Sequence, residues 1–359
     1  FIDLFFYDGP ISHSVAFDKV LQKGEDFVAR FRGGFSDKRD WPQLLHIATD
    51  GESYGHHSPH GDMALAYTLL QIEIQEIAEL TNYGEFLSKN PPTHEVEIAE
   101  KSSWSCAHGI ERWRSDCGCR SGGRPGWDQS WRRPLREALD QLKGDLDLLF
   151  ETKERGRLKD PWAARDAYID FVQKRESGTL TDEWIETFLA PLQTEALSAQ
   201  EREEAIRLLE IQRNALLMFT SCAWFWDDLS GYETTQVLQY AGRAIQLAKE
   251  VDGKGPGARL EGPFLGRLMG AQSNIAEFGN GAEIYQRFIK TAKVDAKRII
   301  AHFAIPSLFK EAPQSSDLYR FHLDLQDYER VTDGTVTLAI GRARVTSKVS
   351  FEIEEAIFG

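Results

Sequence analysis

The 359-residue sequence has no excess of positive charge: 42 Lys and Arg stand against 56 Asp and Glu, a formal net charge of −14. That deficit argues against nucleic acid and against anionic membrane as partners, since both are recognised through a basic footprint. A neutral carbohydrate would be indifferent to it. No apolar run reaches the roughly 18–20 residues that a bilayer-crossing helix requires. Cysteine is sparse, four residues in all, and a secreted disulfide framework would be denser and more regular, so a reducing cytoplasm is the expected setting. A Gly-x-Ser-x-Gly elbow, a phosphate loop and a Gly-x-Gly-x-x-Gly following a strand are all missing, which removes common hydrolase, nucleotide and dinucleotide signatures. The start, Phe-Ile-Asp-Leu-Phe-Phe-Tyr-Asp, lacks Met and a basic n-region, and both edges read as cuts in a longer protein. Nothing in the sequence specifies an oligomer.

What is present is ordinary globular composition, 42% hydrophobic and 27% charged, long enough for two domains or a barrel with an appendage. Residues 2–7 are apolar and aromatic and stop at Asp8-Gly9-Pro10, a strand and a turn. Ser14 is placed to cap a helix running to about Arg32. Residues 44–48 (Leu-Leu-His-Ile-Ala) read as a second buried strand ending at Thr49-Asp50-Gly51, and a helix follows over 61–80. Near-continuous apolar strands alternating with helices predict a parallel sheet covered by helices. In such folds the chemistry sits at the carboxyl ends of strands, where Asp8 and Asp50 fall.

The segment 101–133 is aperiodic and rich in Trp, Cys, Gly, Ser and Arg. So long an irregular stretch is functional or disordered, and Trp104, Trp113, Trp127 and Trp131 favour order. Helical periodicity then covers 135–149, 162–173, 182–188, 199–217 and 232–250, with Ser198 and Glu201 spaced as a capping box. A Gly/Pro-rich link at 253–263 precedes further helices over 264–276 and 281–303. Beyond Pro313 the texture alternates apolar and polar around Asp333-Gly334, which predicts the first strands of a β module.

Three groups of residues carry candidate chemistry. Asp50 and Glu52, with His56, His57 and His60, share one loop in which Gly51 and Gly55 permit sharp turns. Glycosidic cleavage needs one carboxylic acid to protonate the leaving oxygen and a second carboxylate at the anomeric carbon. The plainer alternative is that Asp50 caps the following turn and the histidines are solvated. The same histidines with Asp62 could instead ligate a catalytic metal, although no helical His-Glu-x-x-His pair is present. Cys106, His108, Cys117 and Cys119 are the right donor types for structural zinc, but their one-residue spacings depart from the usual Cys-x2-Cys knuckle. Packed or free thiols are the alternative, and no metal or cofactor is assigned. In Trp224-Phe-Trp226-Asp227-Asp228, Trp faces beside carboxylates suit sugar rings, while aromatics at helical spacing also read as core.

The run Thr49-Asp-Gly-Glu-Ser-Tyr-Gly-His is similar to the fourth conserved region of glycoside hydrolase family 57, Asp-x-Glu-x-Phe/Tyr-Gly-His. With Gly61-Asp-Met-Ala-Leu-Ala66, Phe6-Tyr-Asp-Gly-Pro-Ile-Ser12, Ser102-Ser-Trp-Ser-Cys-Ala-His-Gly109 and Arg112-Trp-Arg-Ser-Asp-Cys-Gly-Cys119, nearly the whole chain resembles bacterial proteins in which a family 57 domain runs into a domain of unknown function numbered 3536. The resemblance implies an α/β catalytic domain, an incomplete (β/α)7 barrel, followed by an α-helical domain and a β-rich part. Residues 1–133 would be the C-terminal part of that barrel, 134–305 the helical domain and 314–359 the start of the β module.

The resemblance further implies a retaining mechanism on α-glucans, by hydrolysis or by transfer and branching, through a covalent glycosyl-enzyme intermediate with Asp50 as general acid/base. Asp8, Glu52, His56 and His57 would contact the carbohydrate substrate from the Asp50 side. Trp104, His108, Trp113, Trp224, Trp226 and Asp227 would contact it from the tryptophan-rich segments. The family's nucleophile is a Glu on an earlier strand. Glu25, the single Glu ahead of Asp50, is not assigned, so the nucleophile is expected upstream of Phe1. Where the family often carries Trp-Trp after the His, this chain carries His and Gly, which leaves the substrate open. The competing functions are a carbohydrate-binding protein without turnover and a metal-dependent polysaccharide hydrolase or deacetylase.

Overall fold

The computed structural model describes residues 2–103 and 105–359. The chain forms two compact units, Phe1–Ala99 and Glu100–Gly359.

In the first unit, helices α1 (Gly9–Phe17), α2 (Gly24–Gly34), α3 (Gly61–Ile74) and α4 (Tyr83–Lys89) succeed one another. Ile11, Val15, Val20, Leu21, Phe27 and Ala64 are buried together as its core. The single helix read from Ser14 to Arg32 is in fact two. Lys19 takes a left-handed conformation (φ 57°), a one-turn 3-10 element spans Val20–Gln22, and α2 restarts at Gly24. Gly24 is required by packing: a Cβ there would lie 2.4 Å from the Tyr67 ring on α3. The cap of α1 is Asp8 rather than Ser14, its carboxylate accepting the Ile11 N–H at 2.8 Å with Pro10 in the first turn. Helix α3 ends at Ile74, short of the expected 80.

The two expected strands do not form a ladder. Residues 2–7 and 44–48 take no regular secondary structure; Asp8 N–H donates to His46 C=O at 2.8 Å and Ala48 N–H to the Ser12 hydroxyl at 3.1 Å. Parallel strands are stable when bonded along their length and covered on both faces. Here Ile2 and Phe6 are 84% and 75% exposed, so the apolar pattern is present without the cover that would make it a sheet.

The second unit is built on α5 (Arg132–Glu154), whose Leu135, Ala138, Leu139, Leu142, Leu146, Leu149 and Phe150 recur at three- and four-residue spacing and are all buried. Around it lie α6 (Pro161–Glu176), α7 (Asp182–Leu189), α8 (Ala199–Leu217), α9 (Tyr232–Val251) and α10 (Glu261–Leu268). The Ser198/Glu201 capping box starts α8, both reciprocal bonds being made. The helix expected over 281–303 is interrupted. Helix α11 (Gly281–Ile284) passes into a π turn (Tyr285–Ile289) and α12 (Lys290–Ala292), and α13 (Ala296–Ser307) starts afresh under the Asp295 cap. The π turn lies against α9, where a Cβ on Gly242 would come within 2.7 Å of Ile289. Last comes an antiparallel meander, β1 (Ser315–Leu318), β2 (Phe321–Asp333), β3 (Val336–Ser347) and β4 (Ile353–Phe358), in that order. Gly334 (φ 60°) allows the β2–β3 turn. Ile299, Ile300 and Phe303 of α13 cover Leu323, Leu325, Ala343 and Val345 on one face of the sheet.

Glu154, at the end of α5, is fully buried, and among the described residues neither carboxylate oxygen has a hydrogen-bond partner. Burial pushes its carboxyl up to about 7, with Arg157 opposing that only in part. The folded state therefore holds this proton more tightly than the unfolded chain does. The destabilisation is absent below the ordinary Glu value of about 4.3 and grows as pH rises to 7. Glu154→Gln is expected to raise the urea-unfolding free energy at pH 8, by about 3 kcal/mol at most, and to leave it nearly unchanged at pH 4. Equal effects at both pH values would show that the charge is not the cause.

Candidate functional site

In the first unit the chain leaves residues 44–48 and turns through a 3-10 element, Gly51–Tyr54. Ser53 N–H donates to Asp50 C=O at 3.1 Å and His57 N–H to Glu52 C=O at 2.9 Å. The Thr49 hydroxyl and the Tyr54 phenol lie 3.0 Å apart and tie the start of the loop to its middle. A Cβ on Gly61 would stand 3.0 Å from Ser53 O, so the first turn of α3 backs the loop closely. Ser53 is buried, whereas Asp50, Glu52, His56 and His57 are all exposed. Asp50 is the extended N-cap residue of this element (φ −66°, ψ 139°), and its side chain makes no cap hydrogen bond. The His56 and His57 rings meet edge to face at 4.9 Å. One backed loop thus presents two carboxylates and two imidazoles. Asp8, by contrast, has a structural role: besides capping α1 it accepts the Ser12 hydroxyl on its carbonyl at 2.6 Å.

The tryptophan-rich groups lie in the second unit. Trp224 is 1% exposed in the helical core, its indole N–H donating to Arg132 C=O at 3.4 Å, so no face of the ring is open to a sugar. Asp227 is also buried. Its carboxylate accepts the N–H groups of Ser121 (3.0 Å) and Gly123 and the Gln129 amide (3.4 Å). Asp228 accepts from Ser230 N–H at 2.8 Å, the Ser273 hydroxyl at 3.0 Å and Asn274 N–H at 2.7 Å. These carboxylates fasten loops to one another, and each is already occupied by several N–H or hydroxyl donors. Trp226 is exposed. Trp113 is half-buried and donates its indole N–H to Ser221 C=O at 3.0 Å. Trp104 lies outside the described residues.

Two buried arginines were not legible as part of this arrangement. Arg132, fully buried, donates to Cys119 C=O at 3.0 Å and to Trp226 C=O at 3.5 Å. Arg112 lies 4.7 Å over the Phe225 ring and donates to Phe225 C=O at 3.3 Å. An Arg at the mouth of an amphipathic helix breaks the apolar pattern, so periodicity assigns it to solvent.

His108 is exposed and stands with Cys106, Cys117 and Cys119, the donor atoms of all four lying within 4.8 Å of one another. Burial pushes the Cys106 thiol up. Backbone N–H groups of Arg112 and His108, with contacts from Cys119 and His108, outweigh that and bring it down to about 7. Among the described residues no comparable convergence exists for His56, His57, His60 and Asp62, so the metal-hydrolase reading of that loop loses its geometric basis.

Asp227→Ala would leave the Ser121 and Gly123 amides without their acceptor. The expected result is faster hydrogen exchange at those two amides and a loss of about 3 kcal/mol in urea unfolding. Trp226→Ala, at an exposed position, should change stability by no more than about 0.5 kcal/mol.

The fold is similar to that of an exo-type maltose-forming amylase from Pyrococcus sp. ST04, with a TM-score of 0.55 and 14% identity. The likeness covers 83% of this chain, and the chain spans 60% of the length of that structure. No curated protein matches the sequence. The family model described as "Domain of unknown function (DUF3536)" matches residues 127–359, well over half of the chain. The chain therefore belongs to the DUF3536 family.

Proposed function

We propose that this chain carries the acid/base portion of a retaining α-glycosidase or α-glucanotransferase acting on α-glucans. The observation that carries the reading is the exposed, uncapped Asp50 carboxylate on the loop tied by Thr49 and Tyr54 and backed by Gly61. The resemblance of Thr49 to His57 to the glycoside hydrolase family 57 motif, and the fold likeness to a maltose-forming amylase, support it. On this reading residues 1–133 complete a barrel-type catalytic domain, 134–305 are its helical companion and 314–359 open a β-rich part.

Asp50 in its acid form donates a proton to the glycosidic oxygen as the bond to the anomeric carbon breaks. As a carboxylate it then takes a proton from water or from an acceptor hydroxyl. Glu52, His56 and His57 stand on the same loop to hold sugar hydroxyls. The second carboxylate is not assigned to Glu25, which occupies the first turn of α2.

In the full-length protein, Asp50→Asn is expected to lower kcat on maltooligosaccharides by about 10²–10⁴-fold while oligosaccharide binding is kept. Mass-spectrometric detection of shortened and lengthened glucans separates hydrolysis from transfer. Unchanged turnover in the variant removes Asp50 from the mechanism. Binding without product in the unmodified protein favours the carbohydrate-binding reading.

A further inference from the structure

The irregular segment 105–131 gathers Cys106, Cys117 and Cys119 around His108, which the resemblance assigns to the substrate but which stands among thiols. Cys106 Sγ lies 3.8 Å from Cys117 Sγ and 3.8 Å from Cys119 Sγ, and His108 Nδ1 lies 3.5 Å from Cys119 Sγ and 4.0 Å from Cys106 Sγ. A disulfide brings sulfurs to about 2.0 Å, so these thiols are not bonded to one another, and each is a free cysteine. A regular tetrahedron around zinc, with Zn–S near 2.3 Å and Zn–N near 2.0–2.1 Å, has S···S edges of about 3.8 Å and S···N edges of about 3.6 Å. These four of the six edges scatter around those two values, and all six are within 4.8 Å. Three thiols and an imidazole nitrogen are therefore spaced as the corners of a zinc site.

The backbone is arranged to put them there. Gly118 sits at φ 76° between Cys117 and Cys119, a left-handed turn that lets two cysteines one residue apart aim at a common point. Gly109, directly after His108, has φ 74°, and a Cβ on it would stand 2.4 Å from Lys101 C=O. Its N–H closes a turn onto Cys106 C=O at 3.2 Å, and its own carbonyl accepts the Ser103 hydroxyl at 2.8 Å. Around the donors, Gly118 N–H is held by the Asp116 carboxylate at 3.0 Å and Cys119 C=O by the buried Arg132. Such outer contacts orient metal ligands. The one-residue spacings that differ from a Cys-x2-Cys knuckle are thus accommodated by glycine turns.

We propose that Cys106, His108, Cys117 and Cys119 bind one Zn²⁺ ion as a closed, structural Cys3His site. Binding displaces one proton from each thiol to solvent, leaving three thiolates and a neutral imidazole around the ion, with a net site charge of −1. Four protein ligands leave no open position, so the ion does not activate water. It ties Cys106 to Cys119 and gives fixed form to a segment that has little regular secondary structure. This proposal does not depend on the carbohydrate reading, since a structural ion here is compatible with any activity of the loop around Asp50.

The test uses the full chain purified with and without added zinc. Elemental analysis is expected to find about one zinc per chain that survives gel filtration. Replacement by Co²⁺ is expected to give the intense visible bands of a tetrahedral ion together with thiolate-to-cobalt charge transfer. Cys117→Ser and Cys119→Ser should lose the ion, and Cys222→Ser, an exposed thiol elsewhere, should keep it. Because a ligand variant could fail to fold, the cobalt spectrum of the unmodified chain stands as an independent readout. Removing zinc with a chelator should speed tryptic cleavage at Arg114, Arg120 and Arg124. Absence of stoichiometric zinc from the zinc-supplied protein, a faint octahedral cobalt spectrum, a disulfide between any two of the three cysteines, or an iron–sulfur absorption would each overturn the proposal.

Discussion

The second unit depends on how a long coil with little regular secondary structure is held against a helical core. Two buried side chains do this, one from the loop ahead of α9 and one from the first turn of α5. The Asp227 carboxylate gathers the N–H groups of Ser121 and Gly123, and the Arg132 guanidinium gathers the carbonyls of Cys119 and Trp226. Each is charged and buried, a placement that is tolerable when hydrogen bonds replace the lost water. Burial disfavours the charge on the Arg132 guanidinium, and the nearby Asp227 carboxylate opposes that in part. Backbone groups that a strand or helix would satisfy internally are met here by side chains. A close approach completes the arrangement: a Cβ on Gly123 would lie 2.5 Å from the Asp227 carboxylate.

The helical bundle was readable because burial there follows one period. The leucines of α5 and the Ser198/Glu201 box of α8 announce their elements without reference to any partner, as do the alternation and Asp333-Gly334 turn of the β meander. What was not readable depended on tertiary context. Residues 2–7 and 44–48 have the composition of buried strands, yet strand formation is a property of the pair and its cover, which sequence alone does not contain. The break at Lys19 and the π turn at Tyr285–Ile289 arise where chain must pass close to a neighbour, at Gly24 and Gly242.

The candidate site was legible in a similarly divided way. Asp50, Glu52, His56 and His57 were found as a loop, and the loop is exposed with Asp50 uncapped. The tryptophan and aspartate run at 224–228 was legible as chemistry but mostly serves structure. Trp224 packs in the core, and the carboxylates of Asp227 and Asp228 are filled by N–H and hydroxyl donors. Counting residue types identifies which groups can bind a sugar. It does not reveal which of their lone pairs are already taken.

The separation of these anchors along the chain has a consequence for synthesis. Ser121 and the Asp227 that holds it are 106 residues apart, whereas Cys106 and Cys119 are 13 apart. At translation rates of about 5–20 residues per second, the coil leaves the ribosome some 5–20 s before its carboxylate anchor exists. During that interval contacts within the coil itself, above all the convergence of Cys106, His108, Cys117 and Cys119, are what can set its shape.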